Sequence, residues 1–184
     1  MRKILIVKLV TFATVFLLSI TAMVGAEELV LKLTKTPATV DGVVTPGEYS
    51  FSYEYKQIKL DLSKTRDSLY VAVTAQTSGW VAVGFNSMVM NNANILIGYV
   101  KDGAPLLVEQ RGSGHRHSEK ALGYVKGFAM NESGKQTTLE VECDVTKVIR
   151  GEKDNLEIIL AYGGNDSPRS YHKLRTSVSI KVID

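Results

Sequence analysis

A single cysteine, Cys143, is all that the 184 residues contain, so no disulfide can form within the chain. Packing and hydrogen bonds have to hold the fold. In the alternating segment 138–143 (TLEVEC) this cysteine is expected on the inner face of a strand, as a small apolar residue. Helical periodicity is also lacking. Apart from a turn or two at 144–150, no segment repeats its apolar residues every three or four positions. Neither a Gly-rich phosphate loop nor a G-x-S-x-G nucleophile turn is present, and an enzyme is the least supported class.

Charge of one sign is not in excess, with 22 Lys and Arg against 19 Asp and Glu. Three of the basic residues, Arg2, Lys3 and Lys8, precede the apolar run 9–20, and Val24-Gly25-Ala26 closes that region. Basic start, apolar middle and small end is the order of a secretory signal peptide, with cleavage expected after Ala26. Residues 27–184 then carry equal numbers of acidic and basic groups, which speaks against a nucleic-acid or anionic-membrane surface. The expected location is periplasmic or extracellular, with any membrane reached only through a partner.

What the chain does have is short strand-like runs. Residues 28–35 alternate Leu29, Leu31 and Leu33 with polar neighbours, and 51–62, 68–75, 122–129, 137–143, 156–162 and 171–182 show similar patterns. Turn residues recur between them, as at Asp41-Gly42 and Pro46-Gly47. About ten such strands predict one all-β domain over 27–184, an antiparallel β-sandwich. The central stretch is 79–103, GWVAVGFNSMVMNNANILIGYVKDG. It predicts two buried strands, 80–85 and 95–100, joined by a polar loop carrying Met88 and Met90 among asparagines.

The three histidines are His115, His117 and His172. The spacing His115-x-His117 suits either a solvated loop or part of a metal site whose third ligand is not evident. His172 precedes the last strand. A thioether and an imidazole are the axial pair of electron-transfer haems, the thioether favouring reduced iron. Without a C-x-x-C-H motif such a haem would be non-covalent, b-type. The competing assignment makes Met88 and Met90 flexible filler and His172 a strand cap. Trp80 and the tyrosines offer stacking surfaces for sugars, although Trp80 within an apolar run favours core packing.

The segments ATVDGVVTPGEYS (38–50), the central stretch, HRHS (115–118) and ILAYGGNDSPRSYHKLRTSVSI (159–180) together resemble a bacterial DOMON domain, over about residues 29–183. Trp80, Gly84-Phe85, Met90, Ala93 and Asp102-Gly103 carry the likeness. Asn92 stands where Gly is usual and Asn94 where Asp is usual. The resemblance implies a sandwich of two antiparallel sheets, immunoglobulin-like in architecture, with a ligand pocket. For its haem b members it implies Met90 and His172 as iron ligands, with Met88 the alternative to Met90 as the thioether. Wall residues would come from Trp80, Val83, Phe85, Ile97 and Tyr99, and the role would be electron transfer with an envelope redox partner. The alternative is a carbohydrate- or other small-ligand-binding module without redox activity, using Asn86, Asn91, Asn92, Asn94, Arg111 and His117.

Overall fold

The computed structural model describes residues 28–149 and 155–183; the expected signal segment 1–26 lies outside them. Twelve strands and one short helix follow in order: β1 Val30–Lys32, β2 Phe51–Tyr55, β3 Ile58–Lys64, β4 Ser68–Ala75, β5 Val81–Phe85, β6 Asn94–Lys101, β7 Ala104–Ser113, β8 Arg116–Glu119, β9 Val125–Ser133, β10 Gln136–Asp144, α1 Val145–Val148, β11 Asn155–Tyr162 and β12 Leu174–Ile183. They form two sheets, ordered β1-β12-β11-β5-β6-β7-β8 and β2-β3-β4-β10-β9. The expected β-sandwich is found.

Three details depart from the expected pattern. HRHS is not wholly loop, since β8 starts at Arg116 and pairs antiparallel with β7. Residues 106–109, only a short apolar run in the sequence, are the middle of a ten-residue strand. The sheets are not purely antiparallel, because β1 runs parallel to β12, with Leu31 opposite Val182. Its three residues sit on the chain's last strand, a pairing that no local pattern encodes.

The core lies between the sheets. Leu60, Leu62, Val71, Val73, Leu139 and Val141 of one sheet meet Val81, Val83, Phe85, Leu96, Ile158 and Leu160 of the other. Cys143 is in this core, fully buried. Each such aliphatic side chain contributes about 1.5–3 kcal/mol relative to exposure. The central strands β5 and β6 are apolar on their other face as well. Trp80, Ala82, Ala93, Ile95 and Ile97 form a second cluster there, joined by Met90, Tyr99, Ile159 and Ala161. A sheet with one dry and one wet face would alternate apolar and polar residues. Here both faces need cover.

The five-stranded sheet is covered on its outer face by the segment 38–50. Glu140, fully buried, accepts from the Asp41 N–H (3.1 Å), the Gly42 N–H (2.6 Å) and the Tyr49 hydroxyl (2.7 Å). Burial and this bond to Glu140 hold the Tyr49 hydroxyl well above the usual phenol range. Burial alone would raise the Glu48 carboxyl, but hydrogen bonds from Thr45 and Thr39 bring it below its ordinary value. The turn-rich segment is thus a strap buttoned onto one carboxylate.

Candidate functional site

The outer face of β5, β6 and β11 is the floor of a cavity of about 1000 Å³. A second hollow, of about 200 Å³, lies beside the strap; only the first is within the range of small-ligand sites. Side-chain alternation decides which residues form the floor. Ala82 pairs with Ala161 and Ile97, and Gly84 with Ile159 and Ile95, so these six share one face and line the cavity. Gly84 keeps the floor low: a Cβ there would stand 2.6 Å from Ile159 Cγ1.

One wall is the loop 86–93. Asn86 leaves β5 with φ of 67° and donates its N–H to Glu157 O at 3.0 Å. Ser87 Oγ donates to Asn91 O (2.9 Å) and accepts the Val89 N–H (3.2 Å). Asn92 N–H reaches Gly112 O (3.1 Å), and Gly112 N–H reaches Ala93 O (2.9 Å). These bonds seat the loop on β7. A Cβ on Gly112 would lie 1.7 Å from the Met90 carbonyl oxygen, so only glycine permits the approach. Met88 and Val89 are exposed at the tip, while Met90 is half-buried.

The opposite wall is the loop 163–173, at the other end of β5. Trp80 N–H donates to Asn165 O (3.1 Å) and Gly163 N–H to Trp80 O (2.9 Å). The Trp80 indole N–H donates to Ser170 Oγ at 2.9 Å. Tyr171 and His172 follow, their rings stacked at 4.6 Å and 19°. Arg169, His172 and Arg175 all line the cavity, as do His115 and His117 of the β7–β8 hairpin. The chain's three histidines and the two expected thioethers therefore face one cavity. Burial, and secondarily the nearby Arg175 charge, lowers the His172 imidazole from its ordinary value. Burial does the same to His117. Both rings are thereby favoured in the neutral form that binds metals.

No protein-family model and no curated protein matches the chain, but solved structures do. The cytochrome b domain of pyranose dehydrogenase from Coprinopsis cinerea is similar at 12% identity, over 67% of this chain and 76% of that one, with a TM-score of 0.51. The cytochrome domain of Myriococcum thermophilum cellobiose dehydrogenase is similar at 9% identity, over 72% and 81%, with a TM-score of 0.50. The fold is DOMON-like. A family 9 carbohydrate-binding module from Caldicellulosiruptor kristjanssonii, in complex with cellotriose, shares it at 10% identity over 85% and 93%, TM-score 0.51. At these identities the likeness is one of fold.

Within this DOMON-like sandwich some expected site residues move. Phe85 is not at the cavity. It points into the core, fully buried, edge-on to Tyr124 at 6.1 Å, because it alternates with Gly84 along β5. Val83 points inward for the same reason. Tyr99 packs on the apolar cluster at the floor's edge without lining the cavity. Asn94, opposite Phe85, is buried and bonded to Arg111, and neither lines the cavity. Asn86 and Asn92 serve the loop backbone at positive φ. Trp80, Met88, Met90, Asn91, His117 and His172 do line the cavity.

The sequence reading missed Gly112, Ile159, Ala161, Ser170, Arg169 and Arg175. The alternation of β11 held the signal for Ile159 and Ala161. The others become visible only through contacts across the sheet. Among the described residues no group of three or more His, Cys, Asp and Glu is gathered closely enough to hold a bare metal ion, so His115 and His117 gain no such third ligand.

Proposed function

We propose that the chain is an exported electron-transfer domain that holds haem b non-covalently in the cavity over β5, β6 and β11. The observation that carries this reading is the convergence of Met90 and His172, from loops at the two ends of β5, on one large cavity with an aliphatic floor. A haem needs only two protein ligands, because the porphyrin supplies four nitrogens. The absence of a three-residue ligand cluster is therefore compatible with it. The residues fit such a group in three further respects. Gly84 leaves the floor flat where a Cβ would intrude. The Arg169 and Arg175 guanidiniums on the wall suit carboxylates. The aliphatic floor excludes water.

Haem supplies the one-electron iron couple when bound. His172 is presented by the loop that Trp80 anchors, and Met90 by the loop seated on Gly112. With Met90 and His172 both holding the iron, no site would be left on it for a substrate, so the protein is read as a carrier rather than an enzyme. Exposed Val89, Met88 and Tyr171 at the rim give an envelope redox partner an apolar edge to meet. Among the described residues no helix is long and apolar enough to cross a membrane, and that partner would supply any membrane contact.

The test is the absorption spectrum of residues 27–184 with haem, oxidised and reduced. Sharp α and β bands on reduction are expected, together with loss of tight binding in His172→Ala. One observation favours a sugar ligand instead: Tyr171 is 86% exposed at the rim, as an aromatic platform would be. A protein that takes up no haem and whose Trp80 fluorescence responds to cello-oligosaccharides would establish that alternative.

A further inference from the structure

The β7–β8 hairpin forms a third wall of the cavity, and His117 is one of its side chains there. His117 pairs with Gly112 across the hairpin, and directly opposed residues project from the same face. The Cβ direction of Gly112 leads to Met90, meeting its carbonyl oxygen at 1.7 Å and its Cγ at 3.4 Å. His117 therefore stands on the side of the hairpin where Met90 lies, and both line the cavity.

Its ring is also oriented. His117 Nδ1 is hydrogen-bonded to Gln110 Oε1. Gln110 is 5% exposed and sits opposite Ile95, a polar residue on an otherwise aliphatic face. An amide oxygen only accepts, so with Gln110 Oε1 facing the ring Nδ1 would carry the proton and Nε2 would keep its lone pair. A partner on the far nitrogen that fixes tautomer and ring direction is the usual support of a metal-bound imidazole. His172, by comparison, is held by stacking on Tyr171.

We propose that His117 is a second imidazole ligand for the haem iron, able to take the axial position that Met90 otherwise fills. The site then has two ligation states, His172 with Met90 and His172 with His117. The inference rests on the haem reading above. Exchanging thioether for imidazole weakens the preference for reduced iron, so the two states differ in reduction potential, the imidazole state lying lower.

Spectra and potentials of three haem-loaded proteins test this. Met90→Ala is expected to stay low-spin and six-coordinate with a lowered potential, whereas Met90→Ala/His117→Ala becomes high-spin. Nitrogen NMR of the haem-free wild type is expected to show His117 protonated at Nδ1. A Met90→Ala protein that is already high-spin overturns the inference and leaves the haem reading intact. So does a double variant that stays low-spin, which would leave Met88 or His115 as the substitute. An Nε2-protonated His117 in the haem-free protein also overturns it. Wild-type protein that takes up no haem overturns both readings.

Discussion

Trp80 shows how much one side chain can organise. Its ring covers one end of the cavity floor, while its backbone and indole N–H fix the loop that carries Tyr171 and His172. Trp80→Phe keeps an aromatic ring and loses the bond to Ser170. It is expected to cost about 1 kcal/mol of stability, measured by urea unfolding, and, on the haem reading proposed above, to speed haem loss more than that modest cost suggests, because the His172 loop loosens. Unchanged haem dissociation would show that the indole N–H does not position His172. Gly84→Ala acts differently. The new methyl meets Ile159 Cγ1 at 2.6 Å, so the isoleucine must move over the floor. Overpacking of this kind costs about 1–3 kcal/mol. Haem affinity is expected to fall about tenfold or more while far-ultraviolet circular dichroism stays that of the wild type.

At the scale of elements, the strap 38–50 and the cavity sit on different sheets and should fail separately. Glu140→Ala leaves two backbone N–H groups and the Tyr49 hydroxyl without their acceptor. The expected loss is about 3 kcal/mol or more, smaller for Glu140→Gln, which retains an acceptor oxygen. Thermal unfolding measures the loss. At low temperature the haem spectrum should be unaltered, and a changed spectrum would mean that strap and site are coupled. The strands themselves were largely legible, since runs such as VAVGF and ILIGYV leave little else for the backbone to do. Their facing was not. In a run that is apolar throughout, nothing local says whether Val83 and Phe85 or Ala82 and Gly84 turn inward; only the pairing with β11 and β6 decides. That ambiguity put Phe85 at the ligand. Edge strand β8 was hidden for the opposite reason: it is hydrogen-bonded on one side only, so its residues can be as polar as a loop's. Met90 and His172 could be named because their chemistry is scarce in this chain, whereas Gly112 and Gln110 matter only through what they face.

For the whole molecule, one buried and one half-buried acid shape the response to alkali. Burial holds the Cys143 thiol well above its ordinary value, and burial with the Glu140 bond does the same for Tyr49. Both have folded-state pKa values raised over the unfolded ones. Their contribution is complete below the unfolded values and is lost as pH rises, because the unfolded chain releases protons that the folded one retains. Stability should decline from about pH 8.5 and more steeply beyond about pH 10. Urea midpoints measured across that range check this. Cys143→Ala should flatten the first part of the decline and Tyr49→Phe the second, and slopes identical to the wild type would refute the assignment.

The parallel pairing of β1 with β12 bears on when the domain can close. Residues 30–32 find their partners only at 181–183, a loop spanning most of the described chain. Such a contact contributes to a high contact order and forms late. Without β12 the edge of β11 stays open, so the seven-stranded sheet, and the part of the cavity lined by Arg175, Thr176 and Ser177, is complete only once residues 174–183 have paired. Occupancy of the cavity would therefore follow the docking of β12.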